Sequence, residues 1–479
     1  MDLSGDLLER DAVELTRAIA ARELSAEDLM GATLARIEDL NPRFGAIVAL
    51  RDAEVLLAEA RAQDAAIARG APAGPLQGLP IAIKDLVDAA GLPTSKGSRL
   101  LEGYVPAADS LMVRRLKAAG ALIIGKSNVP EFALGSYSFN PVYGATRNAY
   151  DERLTAGGSS SGAAVALALR MLPIADGSDY GGSLRNPAGW NNVFGFRPSY
   201  GLVPGDDLDV WTAKLGVLGP MARSVEDLAT LLSVQAGYDP AVPLSHEGDS
   251  ARFRAPLSSD VKGRRIAWLG DFGGAMPCDP GVLDLGRAAL AVFESLGCVV
   301  EEARPDFDFH ELWRAFVTLR HWHNAPLLEA YRDPAKRALL PETAIYEVEN
   351  GLKLSAYEVA DASLARSRWS MAVAGLFERY DAFALPTAQV FAFPVEQRFP
   401  GEIAGRPLTT YHEWMKSAVP ATMAGAPALA LPAGFDAAGR AMGVQLVGAP
   451  RGDLGVLKLG YAYDQATRWP RRRRPPTLG

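Results

Sequence analysis

Three stretches of the 479-residue chain set reactive side chains beside glycines. Gly120-Ala-Leu-Ile-Ile-Gly125-Lys126-Ser127 has the letter spacing of a phosphate-binding loop, in which backbone amides between the glycines wrap phosphate oxygens. Here the intervening residues are Ala, Leu, Ile and Ile, which read as a strand, and Asn128-Val-Pro130 opposes the helix such a loop needs. The strand reading is preferred. Gly158-Ser-Ser160-Ser-Gly162 has the spacing of a nucleophile elbow centred on Ser160, which requires a strand leading into it and a histidine base. The residues from Asn148 to Thr155 are polar and turn-like, and His246, His310, His321, His323 and His412 lie in no segment that advertises a catalytic loop. An esterase using Ser160 and a histidine is kept as an alternative. The third constellation is longer. Lys84 closes the apolar run Leu79-Pro-Ile-Ala-Ile83, Gly157-Gly158-Ser159-Ser160-Ser161-Gly162 opens a helix, and Ser183 follows Ser159 by 24 residues inside Asp179-Tyr180-Gly181-Gly182-Ser183-Leu184-Arg185.

Together these segments resemble the amidase signature family, serine amidohydrolases with a Ser–Ser–Lys triad. The likeness continues through Gly195-Phe-Arg-Pro198, Gly219-Pro-Met-Ala-Arg-Ser224, Pro386-Thr387 and Gly425-Ala-Pro-Ala-Leu-Ala-Leu-Pro432, closely over 75–235 and more loosely over 380–450. Matched residue by residue, the resemblance implies Ser183 as nucleophile, Ser159 as bridging serine after a cis peptide bond from Gly158, and Lys84 as the base. It implies neither cofactor nor metal. Ser161 and Ala163 stand where the family usually has Gly and Ser, and Tyr180 stands where a small or β-branched residue is commoner.

These residue types suit amide hydrolysis. A serine hydroxyl needs a base to become a nucleophile. Lysine is charged at neutral pH unless burial penalises the ammonium form, and the apolar Ile81, Ala82 and Ile83 before Lys84 suit such burial. Neutral Lys84 is expected to take a proton from Ser159 as Ser159 takes one from Ser183. Bare glycines let backbone amides converge on one point, so the amides of Tyr180, Gly181, Gly182 and Ser183 are the expected oxyanion hole. Asp179 and Arg185 are expected to pair and hold this loop, and Ser160 to support Ser159 and the helix start. Singly, a lysine is usually solvated and a serine usually a cap. The joint spacing carries the reading.

The elements that must position these residues follow from periodicity. The first seventy residues read as helices, one capped at Ser25 and ended by Asn41-Pro42. From about 75, short apolar runs alternate with helical patterns, as in a sheet covered by helices on both faces. Strands are expected at 79–83, 121–124, 264–269, 299–302, 383–385, 428–431 and 444–447. The expected fold class is α/β: a single large domain, 1–479, with a central mixed β-sheet. Its parts are N-terminal helices over 1–70, a signature core over 75–235, a variable substrate-shaping region over 240–380, and a return to the core sheet over 380–479. Aromatics crowd 305–378, and this stretch with 390–420 is expected to wall the substrate site.

Composition bounds the rest. With 47 Gly and 33 Pro, these two types exceed the usual share of about 12%, so the chain needs many special turns. A net charge of −7 gives no basic footprint for nucleic acid. Two cysteines, Cys278 and Cys298, make neither a disulfide framework nor a zinc site. The acidic start and the lack of a long apolar run lead to the expectation of a cytoplasmic protein. The expected partner is a small-molecule amide-type substrate, with neither nucleic acid nor membrane; for assembly a homodimer is the working expectation. Two further readings stay open: the glutaminase subunit of a tRNA-dependent amidotransferase, which shares the signature and needs partner subunits, and a catalytically dead binding module. Carbamates and esters share the tetrahedral intermediate and are expected as side substrates.

Overall fold

A computed structural model describes residues 7–205, 209–212 and 214–479. The acidic start, Met1–Asp6, lies outside the described residues. Eight strands form one mixed sheet in the order Val299–Glu302, Arg265–Trp268, Ala382–Pro386, Ala441–Gly448, Ala428–Phe435, Phe194–Arg197, Val217–Ala222, Ile174–Asp179. The first three strands run parallel; the remaining neighbours pair antiparallel. Phe194–Arg197 pairs directly with Ala428–Phe435, so segments before 240 and after 380 share the sheet, and Arg265–Trp268 and Val299–Glu302 extend its other end to make one unit. Helices flank it, and the central strands are apolar on both faces because both are covered.

A smaller sheet carries Lys84. Pro80–Lys84 pairs in parallel with Leu122–Ser127, which in turn pairs antiparallel with Ile47–Val48. Gly125, Lys126 and Ser127 are thus strand residues, and the phosphate-loop spacing has no loop to act in. The backbone amide of Lys84 donates to Asp176 Oδ1 on the edge strand of the large sheet (3.0 Å), tying the two sheets together where the chemistry is expected.

The N-terminal helices are Ala12–Ala20, Ala26–Phe44 and Ala53–Ala68. Ser25 caps the second by accepting from the Asp28 amide (2.9 Å). Asn41-Pro42 does not end that helix; it runs to Phe44. In the last turn Pro42 forfeits only one helical hydrogen bond, and Gly45, at φ +61°, takes the left-handed cap. Asn41 Oδ1 then accepts from the amides of Ala46 and Ile47 (2.9 and 2.8 Å), which turns the chain into its strand.

The region 305–378 is helical as expected, with Phe309–His323, Glu342–Gly351 and Ala356–Phe377 as its main helices. Among the described residues no helix is long and apolar enough to cross a membrane.

Candidate active site

Lys84 ends its strand fully buried, with Ile81, Ala82 and Ile83 equally buried behind it. Its Nζ lies within hydrogen-bond reach of Ser159 Oγ (2.9 Å), Ser160 Oγ (2.8 Å), Ser178 Oγ (2.8 Å) and the Ser178 carbonyl (3.3 Å). A carbonyl only accepts, so Nζ donates there; a neutral amine keeps one lone pair for a hydroxyl proton. Burial pulls the Lys84 pKa from 10.5 down to about 7, against the opposing pull of Asp176 and Asp179. Asp176 is fully buried too, and burial raises its carboxyl to about 6.

The serines enter through a backbone that only glycine permits. The Gly158–Ser159 peptide bond is cis. A Cβ on Gly158 would sit 2.2 Å from the Tyr137 carbonyl oxygen, so no other residue fits there. Ser160 occupies the N-cap position of helix Ser161–Ala168 but makes no side-chain cap bond. Its hydroxyl is drawn to Lys84 instead, which corrects the expectation that it supports the helix start. Among the described residues no histidine hydrogen-bonds Ser160.

Ser183 is 6% exposed. It joins the cluster through its backbone, its carbonyl accepting from the Ser160 amide (3.3 Å), while among the described residues its hydroxyl is in no hydrogen bond. The structure therefore brings Lys84 to Ser159 and places Ser183 beside them without a hydroxyl-to-hydroxyl bond. Asp179 holds the Ser183 turn from both sides: Oδ1 accepts from the Gly182 amide (3.0 Å) and Oδ2 from the Leu184 amide (3.1 Å). The Gly182 amide is thus committed to a carboxylate, which removes it from the expected oxyanion donors. The amides of Tyr180, Gly181 and Ser183 have no acceptor among the described residues.

Asp179 is itself gripped by two buried arginines. Arg185 donates through Nε and an Nη to its two oxygens (2.9 and 2.8 Å), and Arg197 to Oδ1 (3.2 Å) and to the Asp179 carbonyl (2.6 Å). Burial alone would raise the Asp179 pKa, but the two guanidinium groups outweigh it and hold the carboxyl well below the usual range. Arg185 also reaches Gln445 Oε1 (2.6 Å), the Ala418 carbonyl (3.0 Å) and Thr422 Oγ1 (3.0 Å), and Thr422 donates to the Tyr180 carbonyl (3.0 Å). The loop is fastened at both ends. Arg197, Ser178 and Asp176 carried no assigned role in the sequence; only Arg197, a charge at the end of the buried strand Phe194–Arg197, left a local signal.

The side chain of Tyr180 turns to the helix Phe309–His323. Its hydroxyl hydrogen-bonds His323 Nδ1 (2.9 Å), its ring lies 6.0 Å from that of Phe316, and Arg320 stands 5.4 Å from the ring centre. A Cβ on Gly181 would be 3.7 Å from Phe316, and one on Gly182 only 3.0 Å from Ala418 Cβ, so both expected wall segments approach the glycine turn. Behind this wall sits a buried carboxylate that sequence reading missed. Glu347 accepts from Arg320 Nε (2.7 Å), His321 Nδ1 (2.7 Å), His412 Nε2 (2.9 Å) and the Tyr411 hydroxyl. Three of the five histidines, His321, His323 and His412, are thereby engaged in this wall.

A family model described as Amidase matches residues 28–457. The chain belongs to the amidase signature family. Among curated relatives of this amidase-signature chain, a glutamyl-tRNA(Gln) amidotransferase subunit from Moorella thermoacetica is 36% identical, across 98% of each chain. Among solved structures, a bacterial aryl acylamidase of the same family superposes with a TM-score of 0.89 at 26% identity, across 96% of each chain. A glutamyl-tRNA(Gln) amidotransferase subunit from Thermotoga maritima superposes with a TM-score of 0.76 at 27% identity, across 96% of this chain and 95% of its own.

Proposed function

We propose that the chain hydrolyses the C–N bond of a carboxamide through an acyl-enzyme on Ser183. Neutral Lys84 accepts a proton from Ser159 while Ser159 accepts one from Ser183, and the Ser183 oxygen attacks the carbonyl carbon. The oxyanion is received by the unengaged amides of Tyr180, Gly181 and Ser183, where one donor is worth about 3 kcal/mol. The protons return along the same relay to the leaving nitrogen, which departs as ammonia or an amine, and water repeats the cycle in reverse to free the acid. The observation that carries this reading is a buried lysine, its pKa lowered to about 7, with Nζ 2.9 Å from Ser159.

Two settings suit this chemistry. The curated relative from Moorella thermoacetica, a glutamyl-tRNA(Gln) amidotransferase subunit 36% identical over nearly the whole chain, favours the first. There the chain releases ammonia from glutamine and works with partner subunits and a tRNA, contrary to the expectation of no nucleic-acid partner. The aromatic wall of Tyr180, Phe316 and Trp313, and the TM-score of 0.89 to an aryl acylamidase, favour a free-standing amidase for a bulky amide.

The test measures ammonia or amine release by the purified chain from L-glutamine and from a panel of aliphatic and aryl amides, carbamates and esters. Turnover of any amide that disappears in Ser183→Ala supports the mechanism. Undiminished turnover in Ser183→Ala overturns it. Preference for glutamine selects the first setting, preference for aryl amides the second.

A further inference from the structure

The helix Ala356–Phe377 is apolar on two opposite sides. Its inner face, Ala362, Ala365, Trp369, Val373 and Leu376, is buried against the molecule. Its outer face carries Tyr357, Ala360, Leu364, Ser367, Met371 and Ala374, spaced alternately three and four residues apart, and all six are exposed. At 100° per residue the two faces lie about 180° apart. A helix that covers a single core is polar on its far side. Here Tyr357 is 84% exposed, Leu364 57% and Met371 66%; with the adjacent Leu352 at 54%, they are four of the five large apolar residues more than half exposed among the described residues.

The three-four spacing is that of a coiled-coil seam, and the order of side-chain sizes along it is self-complementary only when reversed. Laid antiparallel on a second copy about a two-fold axis between Leu364 and Ser367, the layers become Tyr357 on Ala374, Ala360 on Met371 and Leu364 on Ser367. Each large side chain then faces a small one. The charges beside the seam agree. Asp361 and Arg368 flank it on one side, and the same reversal sets Asp361 of each copy near Arg368 of the other. Arg368 already meets Glu311 within its own chain, whereas Asp361 has no ion-pair partner among the described residues.

We propose that this face is the seam of a homodimer of the chain, two copies of the helix Ala356–Phe377 packing antiparallel about a two-fold axis. The seam spans about 25 Å at 1.5 Å per residue. A single pair of helices makes a small contact, of the size class that associates weakly, and the dimer is expected to have a micromolar dissociation constant. The contact lies on the side of the helix opposite the one that packs toward the catalytic loop, and it holds whichever amide is the substrate.

Sedimentation velocity on the full chain from ~1 to ~100 µM brackets such a constant. The expected result is a monomer that becomes a dimer across this range. Leu364→Glu and Met371→Glu each weaken the dimer by at least ~30-fold, the factor for a central contact residue, while Val55→Glu, at an exposed apolar site elsewhere, leaves it unchanged. Orientation is read by disulfide trapping: a mixture of Ala360→Cys and Met371→Cys chains cross-links, and Ala360→Cys alone does not. A chain that stays monomeric at the highest concentration, a dimer that survives Leu364→Glu, or cross-linking of Ala360→Cys with itself overturns the proposal. Circular dichroism of each variant keeps a loss of folding from being read as a loss of contact.

Discussion

Replacing Lys84 by Met keeps an unbranched side chain only one heavy atom shorter and removes its titration, which makes the lysine's protonation readable as stability. In the folded chain burial holds the Lys84 pKa at about 7, against 10.5 for the free side chain. Between those values the unfolded chain binds a proton there that the folded chain does not, so the lysine's contribution to stability rises with pH through this window and is lost as pH falls from about 10.5 to about 7. At about 1.4 kcal/mol per pH unit, the stability of the wild type relative to Lys84→Met rises by about 2 to 3 kcal/mol between pH ~7.5 and ~9.5. Equilibrium urea unfolding of both proteins at the two pH values measures the difference of differences. That quantity is independent of the hydrogen bonds Met cannot make, because they offset both pH values equally. Asp176 titrates at about 6 and lies below the window. Parallel stability curves would show that Lys84 keeps an ordinary ammonium pKa, and the reasoning about a neutral base would be wrong.

Other consequences follow from the same contacts. Log kcat/KM rises with unit slope below pH ~7 and levels above it, because only neutral Lys84 can accept the relay proton; a profile flat from pH 5.5 to 8.5 excludes this base. Asp179→Asn leaves the Arg185 and Arg197 guanidinium groups buried without a counter-charge, which costs about 3–5 kcal/mol in unfolding free energy and lowers kcat as the Ser183 turn loosens; a variant of wild-type stability and rate contradicts the clamp. Tyr180→Phe removes the bond to His323 and lowers stability by about 1 kcal/mol, changing the relative kcat/KM for small and bulky amides while the pH profile stays fixed.

Local patterns made much of this legible. The strand ending at Lys84, the serine-rich helix start and the double-glycine turn at Ser183 each have a short-range signature, and the structure gathers Lys84, Ser159 and Ser160 within hydrogen-bond distance. What stayed hidden depends on segments far apart in the chain. Ser178 meets Lys84 across 94 residues, and Glu347 collects donors from the helix Phe309–His323 and from Tyr411 and His412. No periodicity announces such meetings. The fate of the Gly182 amide was equally invisible: a glycine pair says that amides can converge, and only Asp179 decides which of them is already engaged. Pro42 shows the reverse error, in which a strong local breaker yields because it falls in a last turn that a glycine and an asparagine already close.

The central question is which hydroxyl is activated and by what. A fluorophosphonate probe forms a stable adduct with an activated serine, and peptide mass spectrometry locates it. Offered to the wild type, Ser183→Ala and Lys84→Ala, the probe is predicted to modify Ser183 in the wild type, to leave Ser183→Ala unlabelled, and to react only slowly with Lys84→Ala. An adduct on Ser159 or Ser160 in the wild type, or undiminished labelling of Ser183 without Lys84, would contradict the activation of Ser183 by Lys84.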